Sequence, residues 1–186
     1  MRRFASWRAL VGPAVSVLLL AYAGLVGLRV LYPMAYTSQL VDLAEENGLD
    51  PVLVAAVVRC ESRFRTNAVS PRGAIGLMQI MPETATWIAQ QLEIPDFEVA
   101  RLHEPNVNLR LGTWYLRYVL DRFGEQDAAL MAYNAGPAHV EDWLNGSGTV
   151  FQETQAYVER VSHSLPVYRL YFRLPWLLRI TPSLLL

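Results

Sequence analysis

The sequence lacks lysine altogether and contains a single cysteine, Cys60. All sixteen basic side chains are therefore arginine, and seventeen acidic residues bring the formal net charge to -1. Proteins that bind nucleic acids usually carry a strong basic excess on one face, so this near-neutral balance argues against DNA or RNA as a partner. One cysteine cannot form an internal disulfide, and it supplies too few thiols for a structural zinc site.

Spacings typical of a metal site are also missing. His103, His139 and His163 are far apart in the sequence, and none belongs to an H-x-x-x-H or H-E-x-x-H pattern. There is no G-x-S-x-G elbow and no glycine-rich phosphate loop. The sequence therefore predicts a protein with neither a metal ion nor a cofactor.

Charge is absent from residues 9–28, a run of twenty mostly apolar residues. A helix of that length can cross about 30 Å of hydrocarbon. Arg2, Arg3 and Arg8 precede the run and Arg29 follows it, so the positive-inside rule places the N-terminus in the cytoplasm. We therefore expect a single transmembrane helix at the cell membrane and an extracytoplasmic globular part.

A cleaved signal peptide is the alternative for this segment. Ala21 and Ala23 form an A-x-A pattern after an apolar core, as signal peptidase sites do. Apolar sequence continues to Leu28, which favours a retained anchor, but the pattern leaves both open. Since no cysteine closely follows the run, a lipoprotein anchor is not predicted.

The remaining sequence predicts a mainly helical domain with one loop. An amphipathic stretch ends at Asn47 and Gly48, and Asp50 with Pro51 opens a helix that runs to about Phe64. Residues 66–80 contain Pro71, Gly73 and Gly76 and predict a loop with a short β excursion. Further helices are predicted over residues 83–92, 106–123, 127–134, 137–144 and 153–171.

These features divide the sequence into three parts: an anchor at residues 1–32, a domain at 33–172 and an apolar tail at 173–186. The tail is too short to cross a bilayer. It could pack on the domain, lie in the membrane interface or bind a partner.

One carboxylate falls on an apolar helix face. Around the predicted helix that ends near Phe64, a wheel groups Val57 and its apolar neighbours on one arc and Arg59 with Ser62 on the other. Glu61 lies on the apolar arc. An unpaired carboxylate in such surroundings is costly to ionise, so its pKa should rise and it could serve as a general acid. Exposure of Glu61 at the helix end, or pairing with an arginine, is the structural alternative.

Three segments together identify a family. E-S-R-F at 61–64, S-P-R-G-A-I-G-L-M-Q-I-M-P at 70–82 and A-Y-N-A-G at 132–136 resemble, in this order, lytic transglycosylases of the soluble, goose-lysozyme-like type. The resemblance covers roughly residues 36–161. It implies a mainly α fold, lysozyme-like α+β with minimal β, and an enzyme that acts on the glycan strands of peptidoglycan.

The resemblance also implies roles for particular residues. Glu61 maps onto the catalytic residue, and a later segment, E-T-Q-A-Y-V at 153–158, is similar to a family motif although Gln155 stands where arginine is common. Without the resemblance, turn chemistry and core packing would account for several of these side chains. The residues implied to line the sugar cleft are Ser70, Gln79, Met81, Tyr133, Asn134, Glu153 and Tyr157.

The implied reaction needs only one carboxyl group. Glu61 protonates the bond between MurNAc and GlcNAc, the acetamido group of the sugar attacks, and a 1,6-anhydro ring closes without water. Two other functions fit the same segments. A lysozyme-type hydrolase would end the reaction with water, and a catalytically silent wall-binding scaffold should have lost Glu61 or Tyr133, which are both present. A partner in a cell-wall machine is not identifiable from the sequence.

Overall fold

The first helix is the longest element of the chain. In the computed structural model, which describes residues 4–178 and their side chains from residue 11, α1 extends over Phe4–Leu31. Its segment Val11–Leu31 has a mean hydropathy of 2.1. By length and composition, α1 is the one helix among the described residues that could cross a membrane. The predicted apolar run is therefore helical, and the helix extends a few residues past it at both ends.

The described chain after α1 is helical with short connections, so the predicted mainly α fold class is confirmed. Four of the α-helices begin at a proline, whose fixed φ and missing N–H suit the first helical position. The predicted boundaries hold to within two residues, whereas the two 3-10 helices are too short to produce a periodic signal. The elements are α2 (Thr37–Glu46), α3 (Pro51–Ser62), α4 (Pro82–Gln91), α5 (Pro105–Phe123), α6 (Gln126–Ala135), α7 (Pro137–Leu144), α8 (Gln152–Arg173) and 3-10 helices at Val99–His103 and Pro175–Leu178.

Helix α3 lies at the centre of the domain, packed against α2 and α8. The Asp50 carboxylate caps its start by accepting from the Val52 N–H at 2.9 Å. All side chains from Val52 to Val58 are buried, so this part of the helix has no polar face, and the predicted division into two faces is wrong at Ser62. Ser62, expected on the polar side, is only 1% exposed and donates to the Leu77 carbonyl at 2.8 Å. The wheel failed because helices and a loop enclose α3 from several directions.

The chain reverses sharply where α3 ends. Arg63 and Phe64 both adopt left-handed backbone conformations, with φ of 55° and 63°. The Arg63 N–H still donates to the Arg59 carbonyl, which closes the last turn of the helix. This reversal brings the following loop back beside the final turn of α3, which contains Glu61.

The loop of residues 66–80 contains the only strand-like pairing among the described residues. Isolated antiparallel bridges join Val69 to Ile75 and Ile75 to Ile80. This agrees with the predicted short β excursion and with a fold of minimal β content.

The start of the predicted tail packs on the domain. Helix α8 ends at Arg173, and the 3-10 helix that follows buries Leu177 in the core. Leu174 and Trp176, in contrast, are exposed. Residues 179–186 of the tail lie outside the described part of the chain.

Candidate active site

Glu61 lies where two cavities meet. One, of about 910 Å³, is formed with the loop that follows α3, and the other, of about 490 Å³, is formed with α6 and the start of α8. Both contain Glu61, Ser70 and Gln79 in their walls. A third, of about 200 Å³, shares Gln79, Met81 and Tyr133 with the second. We call these adjoining cavities the groove.

The Glu61 side chain is partly buried in the wall of the groove. Desolvation raises the pKa of its carboxyl group from the ordinary 4.5 to about 7. The Tyr157 hydroxyl and the positive charge of Arg160 act in the opposite direction and limit the rise. Near neutral pH the carboxyl group therefore exists in both protonation states, as required of a group that first donates and later accepts a proton.

Two tyrosines enclose the carboxyl group. Tyr157, on α8, is 2% exposed. Its burial, and to a lesser extent the charge of Glu61, raise its pKa well above the ordinary value. Its hydroxyl interacts with the Glu61 carboxyl without reaching ordinary hydrogen-bond geometry. Tyr133, on α6, donates to the Met78 carbonyl at 2.8 Å, and burial likewise raises its pKa. Both phenols therefore remain neutral donors throughout the physiological pH range.

The loop side of the groove is rigidly hydrogen-bonded. Gln79 has a left-handed backbone, φ 49°, and its amide donates to the carbonyls of Gly76 at 2.9 Å and Ala68 at 3.1 Å. The Ser70 hydroxyl accepts from the Ala74 N–H at 3.0 Å. The turn chemistry considered for both residues is therefore present, but both also line the groove.

The remaining predicted residues lie in the walls of the groove as well. Asn134 accepts a hydrogen bond from the Thr154 hydroxyl at 3.0 Å, which ties α6 to the start of α8. Glu153 is largely exposed and faces Arg72 at 3.9 Å from the opposite wall. Met81 contributes to the wall where α4 begins. Tyr157 alone is not part of these walls; it is buried behind them, next to Glu61.

The sequence analysis did not predict a role for Asn108, whose side chain holds the loop of residues 66–80 in place by hydrogen bonds. This α5 residue is fully buried, and its side-chain oxygen accepts from the Met78 N–H at 2.7 Å. Its amide donates to the carbonyls of Ile75 and Leu102, each at 2.9 Å. The sequence did contain a signal for this role. Asn108 is one helical turn before Gly112 and two turns before Leu116, so it lies on the buried face of α5, where a side-chain amide needs hydrogen-bond partners.

No group of three or more metal-ligating side chains occurs among the residues that the structure describes. Cys60 packs half-buried against the core, and burial raises the pKa of its thiol, which disfavours the nucleophilic thiolate.

The raised pKa of Glu61 predicts a pH-dependent stability. Between pH 4.5 and about 7 the folded chain keeps a proton that the unfolded chain has released, so the free energy of unfolding falls as pH rises through this window. Glu61→Gln removes the titration. As pH rises through the window, the free energy of unfolding of this variant should therefore increase by up to about 3 kcal/mol relative to that of the wild type. Denaturant unfolding of the full chain in detergent at a series of pH values measures this. The exposed Glu159→Gln should show no such trend, and a parallel trend in both variants would contradict the burial effect.

Gly112 accommodates the loop. A Cβ at this position would lie 2.6 Å from the Met78 Cβ and 2.3 Å from its sulfur, so the absence of a side chain allows α5 to pack closely against the loop. Alanine normally favours a helix over glycine by about 1 kcal/mol, yet here we expect Gly112→Ala to destabilise by about 1–3 kcal/mol through overpacking. Thermal unfolding measures the change. Gly27→Ala, in open surroundings, is the matched control, and equal effects would contradict the packing argument.

Comparison with known proteins gives one consistent family. The profile of the transglycosylase SLT domain matches residues 41–155. The soluble lytic murein transglycosylase of Salmonella typhimurium is 38% identical over 143 residues, which are 70% of this chain and 22% of that protein. The membrane-bound lytic murein transglycosylase F of Marinobacter nauticus is 37% identical over 114 residues, 58% of this chain and 21% of that protein.

Solved structures agree with the sequence comparisons. An inactive mutant of the lytic transglycosylase Slt from Pseudomonas aeruginosa superposes with a TM-score of 0.71 at 36% identity, over 76% of this chain and 25% of that one. The soluble lytic transglycosylase of Escherichia coli gives a TM-score of 0.70 at 34% identity, with the same coverage of 76% and 25%. The chain thus spans about a quarter of the length of the relatives it matches.

Proposed function

This chain belongs to the transglycosylase SLT domain family, and on that premise we propose that it cleaves peptidoglycan glycan strands between MurNAc and GlcNAc, leaving 1,6-anhydro ends on MurNAc. The observation that carries the proposal is one carboxyl group, Glu61, with a pKa near 7 at the junction of two cavities. The names of the relatives, which are lytic murein transglycosylases, support the same substrate class.

The first step transfers a proton. Protonated Glu61 donates to the glycosidic oxygen, so the GlcNAc hydroxyl leaves neutral. The acetamido carbonyl oxygen of the MurNAc residue attacks the anomeric carbon as that bond breaks, forming a cyclic oxazolinium ion. Substrate assistance of this kind dispenses with a second carboxylate. Tyr133 is suited to position the acetamido group because its ring is rigid and its hydroxyl is held by Met78.

The second step reverses the proton flow. Glu61, now a carboxylate, accepts the proton of the 6-hydroxyl of the same MurNAc residue. The freed oxygen attacks the anomeric carbon, the oxazolinium ring opens and the acetamido group is restored. The product is a 1,6-anhydro sugar, no water is consumed and Glu61 is protonated again. A pKa near 7 suits both halves of this cycle.

The groove supports binding roles for the predicted wall residues. We infer that Ser70, Gln79 and Met81 contact the strand from the loop side, and that Asn134 and Glu153 contact it from the helical side. Tyr157 acts through Glu61, whose protonation it influences, rather than by touching the glycan.

The mass of the released muropeptides tests the reaction. Digestion of purified peptidoglycan with the full chain should yield products one water lighter than their reducing-end counterparts. Mass spectrometry separates the two directly. Products that all carry reducing ends would reject the transglycosylase reaction in favour of hydrolysis.

A hydrolase of the same fold has one observation in its favour. Glu153 lies in the same cavity wall as Glu61 and could activate a water molecule as a second carboxylate. Its exposure and its contact with Arg72 fit a binding residue better. Glu153→Gln distinguishes the two: a hydrolase that uses it as base should lose cleavage, whereas a transglycosylase should still release anhydro products. The exposed Glu159→Gln on the same helix controls for the loss of a charge.

We further propose that α1 anchors the domain at residues 33–172 to the cell membrane as a single-pass helix, with the domain outside the cytoplasm. The side chains of residues 11–24 are exposed and almost all apolar, as a helix surrounded by lipid requires. Three arginines before the apolar run against one directly after it support the orientation. The resemblance to a membrane-bound relative agrees with membrane association.

A further inference from the structure

Acidic residues are confined to the middle of the chain. All seventeen lie between Asp42 and Glu159, together with eight of the sixteen arginines. Residues 1–41 and 160–186 each contain four arginines and no acidic residue. The modest overall charge therefore conceals two basic terminal segments and an acidic central one.

The two basic segments meet in the fold. The Arg29 guanidinium lies 5.7 Å from the centre of the Tyr171 ring, and the rings of Tyr32 and Tyr168 are 6.2 Å apart. The Tyr168 hydroxyl donates to the Pro33 carbonyl at 2.8 Å. The end of α1 is thus fixed against the end of α8 rather than joined to the domain by a loose linker.

Arg59 of α3 strengthens this junction. Its Nε donates to the Leu31 carbonyl at 3.1 Å, and its guanidinium lies 4.2 Å from the centre of the Tyr32 ring. A third element of the domain therefore holds the last turn of α1.

The junction extends back along α1 into the apolar segment. Leu25 and Leu28 pack against the buried core to which Tyr171 and Leu177 belong. Leu25 lies six residues, or about 9 Å of helix, before Leu31. If α1 crosses a bilayer up to Leu31, the parts of the domain packed beside Leu25 must reach the level of the lipid headgroups.

Exposed apolar side chains occupy this end of the domain. Leu170 is 40% exposed, Leu174 37% and Trp176 53%, while Leu177 between them and the core is buried and fixes the 3-10 helix in place. Arg169 and Arg173 are exposed on the same stretch of α8. Tryptophan and leucine flanked by arginine, without acidic residues, is the composition of segments that lie in a membrane interface of anionic lipids.

We propose that the end of α8 and the following 3-10 helix, residues 169–178, form a second membrane contact that inserts Leu170, Leu174 and Trp176 among anionic phospholipid headgroups. This inference rests on the proposed anchoring by α1. The contact would fix the orientation of the domain. Since α8 is about 33 Å long and Glu153 lies at its other end, that wall of the groove is held at most about 30 Å from the lipid surface.

Fluorophores at three positions test the proposal. On a Cys60→Ala background, the full chain carries one introduced cysteine labelled with an environment-sensitive dye, in vesicles of phosphatidylethanolamine and phosphatidylglycerol. Leu174→Cys reports on the proposed contact, and Leu20→Cys reports on the anchor. Leu144→Cys, an exposed position on α7 beside the start of α8, is the control far from the proposed contact. Retained peptidoglycan cleavage verifies that each labelled chain is folded.

The proposal predicts that a spin-labelled lipid quenches most of the fluorescence at residues 20 and 174 and little at residue 144, with aqueous iodide giving the reverse. Quenching by lipid at residue 20 together with quenching by iodide at residue 174 would overturn the second contact alone. Iodide quenching at both positions would overturn the anchor and the contact together. Lipid quenching at residue 174 alone would reject the anchor, and with it the inference, because a second contact requires the first.

A separate experiment tests whether the contact needs the positive charges of Arg169 and Arg173. Replacing Arg169 and Arg173 with glutamine should lower the lipid quenching at residue 174 in vesicles with phosphatidylglycerol, and should change it little in vesicles of phosphatidylcholine alone. Equal quenching with and without the arginines would overturn the assignment to anionic headgroups.

Discussion

Replacing Glu61 with glutamine is expected to reduce glycan cleavage by at least about a thousandfold while the chain remains folded. The amide has nearly the size of the carboxyl group, so the walls of the groove should not move. It cannot, however, donate a proton to the glycosidic oxygen or accept one from the 6-hydroxyl. Release of soluble muropeptides from purified peptidoglycan, measured over time with the full chain, provides the rate.

The matched control is Glu159→Gln, which makes the same chemical change at an exposed position of α8. It should cleave at the wild-type rate. Binding of Glu61→Gln to insoluble peptidoglycan should also persist, because the wall residues of the groove are unchanged. Substantial cleavage by purified Glu61→Gln would reject Glu61 as the acid and base of the reaction.

Replacing Asn108 with leucine should produce the largest loss of stability. The change keeps the volume of the side chain but leaves the Met78 N–H and the Leu102 carbonyl without a partner in a fully buried place, while the Ile75 carbonyl keeps only the bond that it accepts from the Ile80 N–H at 3.1 Å. At about 1–3 kcal/mol for each buried polar group left unpaired, we expect the free energy of unfolding to fall by about 4 kcal/mol. Denaturant unfolding of the full chain in detergent measures this change.

Cleavage should fall as well, since Asn108 holds the segment whose Met78 carbonyl accepts from Tyr133. The matched variant is Asn106→Leu, two residues earlier on the same helix and exposed, which should change stability by less than about 0.5 kcal/mol. If the two leucine variants unfolded alike, the three hydrogen bonds of Asn108 could not be what fixes the loop.

Local patterns predicted the helices of this chain well. Asp50 before Pro51 predicted the start of α3, and the predicted start of α7 at residue 137 is confirmed, whereas α4 and α5 begin at Pro82 and Pro105, one residue before their predicted starts. The three segments of family resemblance predicted the family, which the match over residues 41–155 confirms. These signals are local in sequence, so they can be recognised without any knowledge of the tertiary fold.

The enclosure of α3 could not be predicted in the same way. A wheel assumes one buried side, whereas α2, α8 and the loop cover this helix from several directions and bury Ser62 against the Leu77 carbonyl. The support of the loop by Asn108 and Gly112 depends likewise on contacts across about thirty residues of sequence. Such contacts depend on how the helices and the loop pack together, and the periodicity of a single sequence does not predict this packing.

The pKa of Glu61 itself is the quantity to measure. Carbon-13 NMR of the full chain labelled at glutamate carboxyl carbons, with Glu61→Gln to assign the signal, follows its titration directly. A side chain kept neutral by desolvation predicts a midpoint near pH 7. A midpoint close to 4.5, the ordinary value for glutamate, would mean that this group is already ionised where a proton donor is needed.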